Sequence, residues 1–243
     1  MNVAPELILI GALVTAVGAL LQGTVGLGFA LFAVPVMTLF DGSLVPVPQL
    51  LLAIPLAISI AWRERHAMSL RRVAWILAGR PLGVVVGLGL LSLEAPQRVL
   101  DGVIGALVLG MAGLMASSIR IPRGRGADFV VGALASVSGT MASISGPPLA
   151  LLFRGATGPE LRANLALLFT VGLAMTLTGR AASGFVSPQD LLLALIWLPA
   201  LALGFWGSRL VIPRVEGAPL RRAVVAACAL AGLAVMLRAF FEG

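Results

Sequence analysis

Residues 22–29 read Gln22-Gly23-Thr24-Val25-Gly26-Leu27-Gly28-Phe29, and they interrupt a run of 34 uncharged residues, Leu7–Phe40. A single helix of that length would extend about 51 Å at 1.5 Å per residue. A bilayer core of about 30 Å needs only about 20 apolar residues, so the run is too long for one crossing and short for two. Glycine permits non-helical backbone conformations, and Pro35 follows. The stretch therefore predicts a discontinuous helix.

The composition excludes an ordinary soluble protein. Hydrophobic residues make up 59% of the chain and charged residues 11%, against about 45–50% and about 25% in soluble domains. The basic residues, all arginines, lie between apolar runs, which is typical of membrane topology and not of a nucleic-acid-binding face. With one His and one Cys, a His-rich metal site and an internal disulfide are excluded. We expect an all-α polytopic membrane protein that has no cofactor, binds no nucleic acid and is not an enzyme.

Further apolar segments predict the remaining membrane helices. The plain candidates are Val47–Trp62, Val73–Leu91, Val99–Ile119, Leu161–Gly179, Leu191–Ser208 and Ala223–Phe240. Another segment, Asp128–Phe153, is interrupted by Ser145-Gly146-Pro147-Pro148, and proline disfavours helical geometry in the residue before it. We predict a second discontinuous helix there.

The two halves of the chain resemble each other, which indicates an internal repeat. The matches are Gly11-Ala12-Leu13 with Gly132-Ala133-Leu134, Gly18 with Gly139, Gly83 with Gly204, and Gly87 with Gly207. Each half, residues 1–122 and 123–243, holds one discontinuous helix and three plain spans. Arginines in short loops mark the cytoplasmic side, and equivalent loops of the two halves differ in charge. We predict two inverted-topology repeats in one membrane domain, each with one broken or re-entrant helix.

Inverted repeats with paired discontinuous helices are typical of secondary transporters, which bind their substrate where the repeats meet. The alternative is flexible packing of short helices. A helix that restarts near Gly26 presents free N–H groups, which attract anions. Prolines remove such donors at the second interruption, where serine hydroxyls replace them. The predicted substrate-binding residues at the interruptions are Gln22, Gly23, Thr24, Gly26, Gly28, Ser143, Ser145 and Gly146; the alternative for each is helix packing.

Three polar residues elsewhere are also candidates. Arg80 lies within a predicted span, where an arginine is costly and is by default a hypothesis about function. It either contacts an anionic substrate or extends back to the membrane surface. Arg162 is interpreted as a topology anchor with a role in gating, and Asn164 as a residue lining the substrate path and binding substrate.

The glycines of the first interruption, Gly18, Gly23, Gly26 and Gly28, followed by Pro35, resemble the TauE/SafE family of sulfite exporters, also called the TSUP (4-toluene sulfonate uptake permease) family. The stretch 145–148 followed by Arg162 is similar to a common variant within that family, although Pro147 and Pro148 stand where some members keep glycines. The resemblance implies a multi-pass carrier of the bacterial inner membrane. It also implies a small sulfur-containing anion as substrate (sulfite, sulfoacetate or a related sulfonate) and coupling to a proton or sodium gradient.

We therefore expect a secondary transporter that works by alternating access, with the anion bound between two broken helices. No nucleotide-binding Gly-x-x-x-x-Gly-Lys loop occurs in the sequence, so ATP is not the expected driver. The alternatives are a passive anion channel or facilitator, a carrier of a small carboxylate, and a membrane protein that does not transport. The oligomeric state, the direction of transport and the choice among these anions stay open.

Overall fold

A computed structural model describes residues 4–93, 97–117, 121–153 and 155–212, together with Ala226 and Leu233. Within that part of the chain the structure is all-helical and contains no strand. The predicted span Ala223–Phe240 lies outside the described residues. So does Arg154, an arginine of the predicted loop that follows the second discontinuous helix.

Nine α-helices occur in the described residues. They are α1 (Pro5–Val25), α2 (Phe29–Phe40), α3 (Val47–Arg63), α4 (Leu70–Leu91), α5 (Gln97–Ala116), α6 (Arg125–Ala142), α7 (Gly146–Leu152), α8 (Gly158–Ala182) and α9 (Pro188–Val211). Five of them, α3, α4, α5, α8 and α9, coincide with predicted plain spans. Short 3₁₀ turns at Gly42–Leu44 and Arg65–Ala67 lie on either side of α3.

Local sequence explains where several helices begin. Proline lies in the first turn of α1, α3, α8 and α9, where its missing N–H would have no partner within the helix. The side chain of Thr157 accepts a hydrogen bond from the Glu160 amide at the start of α8. Ser187 and Asp190 form a reciprocal capping box at the start of α9.

Within the described residues, four helices are long and apolar enough to cross a membrane: α1, α4, α8 and α9. Their outer faces carry large exposed apolar side chains, among them Leu13, Val85 and Leu203. Such a surface suits lipid and would be unfavourable in water. Together with the composition, these helices indicate an integral membrane protein.

Two helix pairs form the frame of the structure, and each joins the first half of the chain to the second. Helix α4 packs along α6, and α1 packs along α9. Glycines allow the close approach, because a methyl group on Gly132 would overlap the Ile76 carbonyl oxygen, and one on Gly11 would overlap the Trp197 ring. The indole N–H of Trp197 also donates to the Ile8 carbonyl oxygen at 2.9 Å. Helices α3 and α8 pack together and also contact this frame.

Candidate functional site

The first interruption separates α1 from α2. Gly26 and Gly28 adopt φ values of 91° and 124°, a region that strains any residue with a Cβ atom. The Gln22 side chain reaches across the gap, and its Oε1 accepts a hydrogen bond from the Phe29 amide at 3.2 Å. The amides of a helix's first turn have no partner within the helix. Gln22 thus satisfies one amide at the start of α2.

The second interruption separates α6 from α7. Ser143 adopts a left-handed conformation with φ 61°, and its amide donates to the Gly139 carbonyl at 2.9 Å. Pro147 and Pro148 occupy the first turn of α7 and have no N–H, so this helix start offers fewer backbone donors than α2. Ser143 is 5% exposed, and its buried hydroxyl has no hydrogen-bond partner among the described residues.

The two interruptions meet at one small cavity, whose lining residues are almost all buried. Its lining comes from both breaks and from α3 and α8, and includes Gln22, Gly28, Phe29, Ser143, Ser145, Gly146, Ala53, Phe169 and Leu173. The cavity volume is about 30 Å³, which is room for roughly two water molecules. None of the described residues that line it is charged. The two interruptions also approach each other directly at Leu27 and Gly146. A Cβ on Gly146 would lie 3.4 Å from the Leu27 Cβ.

Two arginines cover the carboxyl end of α1. The Arg63 guanidinium donates to the Gly23 carbonyl oxygen, and the Arg162 guanidinium donates to the Thr24 carbonyl oxygen at 3.3 Å. Both Nε atoms bind one carboxylate oxygen of Glu64, at 3.1 and 2.9 Å. Cations at a helix carboxyl end complement its dipole and satisfy its free carbonyls. This group, which we call the α1 clamp, holds the chain just before the first interruption.

A single arginine covers the carboxyl end of α6. Arg180, in the last turn of α8, is buried and donates from Nε to the Thr140 carbonyl oxygen at 2.9 Å. Its Nη2 donates to the carbonyl oxygens of Thr140 and Met141. We call this the α6 clamp. The sequence interpretation missed it, because Arg180 directly follows a predicted span and resembles a loop residue.

Arg80 lies in the interior of the helix bundle. It is 2% exposed, and its guanidinium fills the space over Gly172 of α8, where a methyl group would overlap it. Its Nε and Nη2 are buried and have no hydrogen-bond partner in the described part of the chain. The neighbouring residue on α8, Leu173, lines the small cavity. Arg80 therefore places a buried positive charge against α8, at a residue next to one that lines the cavity.

The remaining predicted site residues are not part of the cavity lining. Asn164 is fully buried: its Oδ1 accepts from the Ser69 amide at 3.0 Å and its Nδ2 donates to the Glu160 carbonyl at 2.8 Å. These bonds tie the start of α4 to α8. The other three belong to the end of α1: Gly23 packs against Ser208, Gly26 packs against Arg162, and the Thr24 hydroxyl donates to the Leu20 carbonyl at 2.8 Å.

Comparison with known proteins gives one match. A family model described as Sulfite exporter TauE/SafE matches residues 10–235 of the chain, and so confirms the resemblance inferred from the sequence. No curated protein and no solved structure gives a significant match.

The α6 clamp yields a prediction about stability. Arg180→Met leaves the Thr140 and Met141 carbonyls without their charged donor, and each such bond contributes about 1.5–3 kcal/mol. We expect the melting temperature in detergent, followed by intrinsic tryptophan fluorescence, to fall by roughly 5 °C or more. Arg209→Met is the matched control, because Arg209 is exposed in the last turn of α9. Equal shifts of the melting temperature in the two variants would contradict a structural role for the clamp.

Proposed function

Because the chain belongs to the TauE/SafE family of sulfite exporters, we propose that it is a secondary transporter of a small sulfur-containing anion, such as sulfite, sulfoacetate or a related sulfonate. The family is one of transporters, and the four long apolar helices agree with a multi-pass membrane protein. The membrane is the bacterial inner membrane, and the driving force is a proton or sodium gradient.

The observation that carries this proposal is the meeting of both interruptions at one buried cavity. Irregular backbone at membrane depth is tolerated where it is buried in protein or lines a cavity. The first turn of α2 and the unpaired Ser143 hydroxyl supply donors from both interruptions. Acidic residues are missing from the lining that the structure describes, so an anion meets no repulsion there. Bound anion would displace water and accept these hydrogen bonds.

Arg80 supplies the positive charge of the proposed site. A buried, unpaired guanidinium is costly unless something compensates it. In the low-dielectric interior its field extends through the α8 wall to the cavity lining, because buried charges are weakly screened. A monoanion bound at the cavity would compensate the charge. A neutral solute of the same size would not, and this favours anions over neutral solutes.

The helix pairs support the proposed inverted repeat. Gly11 and Gly132 are 121 residues apart, and their contacts Trp197 and Ile76 are also 121 residues apart (132 − 11 and 197 − 76). The pairing of α1 with α9 thus corresponds to the pairing of α6 with α4 after the halves are exchanged. We propose that the repeats rock against each other around the cavity.

We propose that each of the two clamps closes one side of the cavity during the transport cycle. Arg162 lies near the start of α8 and Arg180 near its end, about 27 Å apart along the helix. Each binds the carboxyl end of a helix that precedes an interruption. In this mechanism, releasing the α1 clamp opens one side of the cavity and releasing the α6 clamp opens the other.

The first test removes one donor from the cavity. Ser143→Gly deletes the unpaired hydroxyl while glycine accepts the left-handed backbone without strain. We expect the protein to stay folded and its affinity for the transported anion to fall roughly tenfold or more, since a hydrogen bond to a charged group contributes about 1.5–3 kcal/mol. The affinity is measured as the sulfite concentration that gives half-maximal ³⁵S-sulfite counterflow in proteoliposomes. Uptake under an imposed proton or sodium gradient tests the driving force.

Ser92→Gly is the control, because Ser92 is exposed at the end of α4. Unchanged counterflow in Ser143→Gly would show that the Ser143 hydroxyl does not bind the anion. Absence of counterflow in the unsubstituted protein, with sulfite still leaking down its gradient, would identify a channel and contradict a carrier.

The second test separates charge from structure at Arg80. Arg80→Met replaces an unpaired buried cation with an apolar side chain of similar length. We expect the free energy of unfolding in anion-free buffer to rise by about 1 kcal/mol or more, while sulfite transport falls at least tenfold. If stability and transport both fall, Arg80 is a structural residue; if transport is unchanged, its charge does not serve the anion.

The third test concerns orientation. The contacts of Arg63, Arg72, Arg123 and Arg162 bring four arginines to one end of the helix bundle, and we propose that this end faces the cytoplasm. In a Cys228→Ser background, Arg65→Cys should react with a membrane-impermeant maleimide only in inside-out vesicles. Ser183→Cys, at the far end of α8, should react only in intact cells. The reversed pattern would invert the proposed topology.

A further inference from the structure

A second and larger cavity opens where α4 and α6 begin. Its volume is about 740 Å³, and it is lined by the four arginines Arg71, Arg72, Arg123 and Arg125, by Trp75, and by the acidic side chains of Asp128 and Glu160. We call it the arginine cavity. It lies at the end of the bundle away from the α6 clamp, and its residues do not line the small buried cavity.

The arginine cavity carries more positive charge than its own ion pairs use. Arg123 pairs with Asp128 at 2.9 Å, and Arg72 pairs with Glu160. Arg71 and Arg125 belong to neither pair and are both exposed. The four arginines and two acids therefore leave a net charge of +2. The amino ends of α4 and α6 add the positive ends of two helix dipoles.

The border of the arginine cavity is apolar and aromatic. The Arg125 guanidinium stacks over the Trp75 ring at 5.5 Å from its centroid, and Trp75 is half-exposed. Leu70 and Val130, on the two helices that begin at the cavity, are also exposed. Tryptophan beside arginine at a helix end is typical of the lipid headgroup region. The cavity thus joins a cationic interior to a surface that suits acyl chains.

The fold itself does not require these arginines. The contact of Gly132 with Ile76 in the α4 and α6 pair corresponds to that of Gly11 with Trp197 in the α1 and α9 pair. The amino ends of α1 and α9, residues 4–10 and 187–193, contain Glu6 and Asp190 and no arginine. An equivalent packing arrangement therefore forms without any cationic cluster.

We propose that the arginine cavity binds the phosphate headgroup of an anionic phospholipid, with the acyl chains along the exposed faces of α4 and α6. Arg71 and Arg125 contact the phosphate, and Trp75 lies at the glycerol level. Basic pockets between transmembrane helices bind such headgroups in the leaflet that is rich in anionic lipid. A soluble phosphate compound offers the arginines the same negatively charged oxygens. Only a lipid also has acyl chains that cover the apolar border of the cavity.

The test measures lipid binding directly. Protein in a mild detergent is titrated with phosphatidylglycerol or phosphatidylcholine, and bound lipid is counted by native mass spectrometry. We expect the wild type to prefer phosphatidylglycerol. The paired variant Arg71→Gln and Arg125→Gln should lose about thirtyfold of that affinity, at roughly fivefold for each arginine near the surface. Arg71→Lys with Arg125→Lys should retain most of it.

The control pair is Arg65→Gln with Arg209→Gln, which removes the same charge from exposed arginines outside the cavity. Equal losses in the cavity and control pairs, or no preference for phosphatidylglycerol in the wild type, would overturn the assignment and leave these arginines as topology signals. Glycerol 3-phosphate is the soluble competitor, which carries the phosphate without acyl chains. If it displaces phosphatidylglycerol at the same concentration as competing lipid, the cavity is a site for soluble phosphate, and the lipid assignment is wrong.

Discussion

Backbone groups inside a membrane must find partners within the protein, because lipid offers none. This constraint governs both interruptions of the chain. Gln22 satisfies the Phe29 amide, and the α1 and α6 clamps satisfy the carbonyls at the ends of α1 and α6. Each break therefore requires polar side chains from elsewhere in the fold, and α8 contributes an arginine to both clamps, Arg162 at α1 and Arg180 at α6. In the described residues, buried side-chain atoms without partners remain on Ser143, Arg80, Gln49 and Ser136, and of these residues only Ser143 lines the cavity.

The frame explains how the interruptions are brought together. Close glycine contacts hold α4 against α6 and α1 against α9, and small residues are the usual means of such packing in membranes. Both pairs join the first half of the chain to the second. The cavity at the interruptions therefore lies where the two halves meet. A small relative movement of the halves would change its shape.

The sequence predicted the helices that composition and length determine. The uncharged run around residues 22–29 and the prolines after Ser145 indicated where helical geometry stops, since glycine and proline act locally. It did not predict the partners of the arginines. Arg180 follows an apolar segment as a loop residue would, and its contact with Thr140 joins residues 40 positions apart. Asn164 resembled a residue of the substrate path, but its hydrogen bonds to Ser69 and Glu160 depend on how α8 lies against α4. Such contacts depend on tertiary packing, which single-residue patterns do not contain.

The proposed transport depends on an anion binding between the two interruptions. The most direct measurement is an experimental structure obtained with selenite, the heavier analogue of sulfite, using the anomalous scattering of selenium to locate it. We expect an anomalous peak within hydrogen-bonding distance of the Ser143 hydroxyl and of the first turn of α2. A peak confined to the protein surface, or continuous helices through residues 22–29 and 143–148, would contradict this proposal.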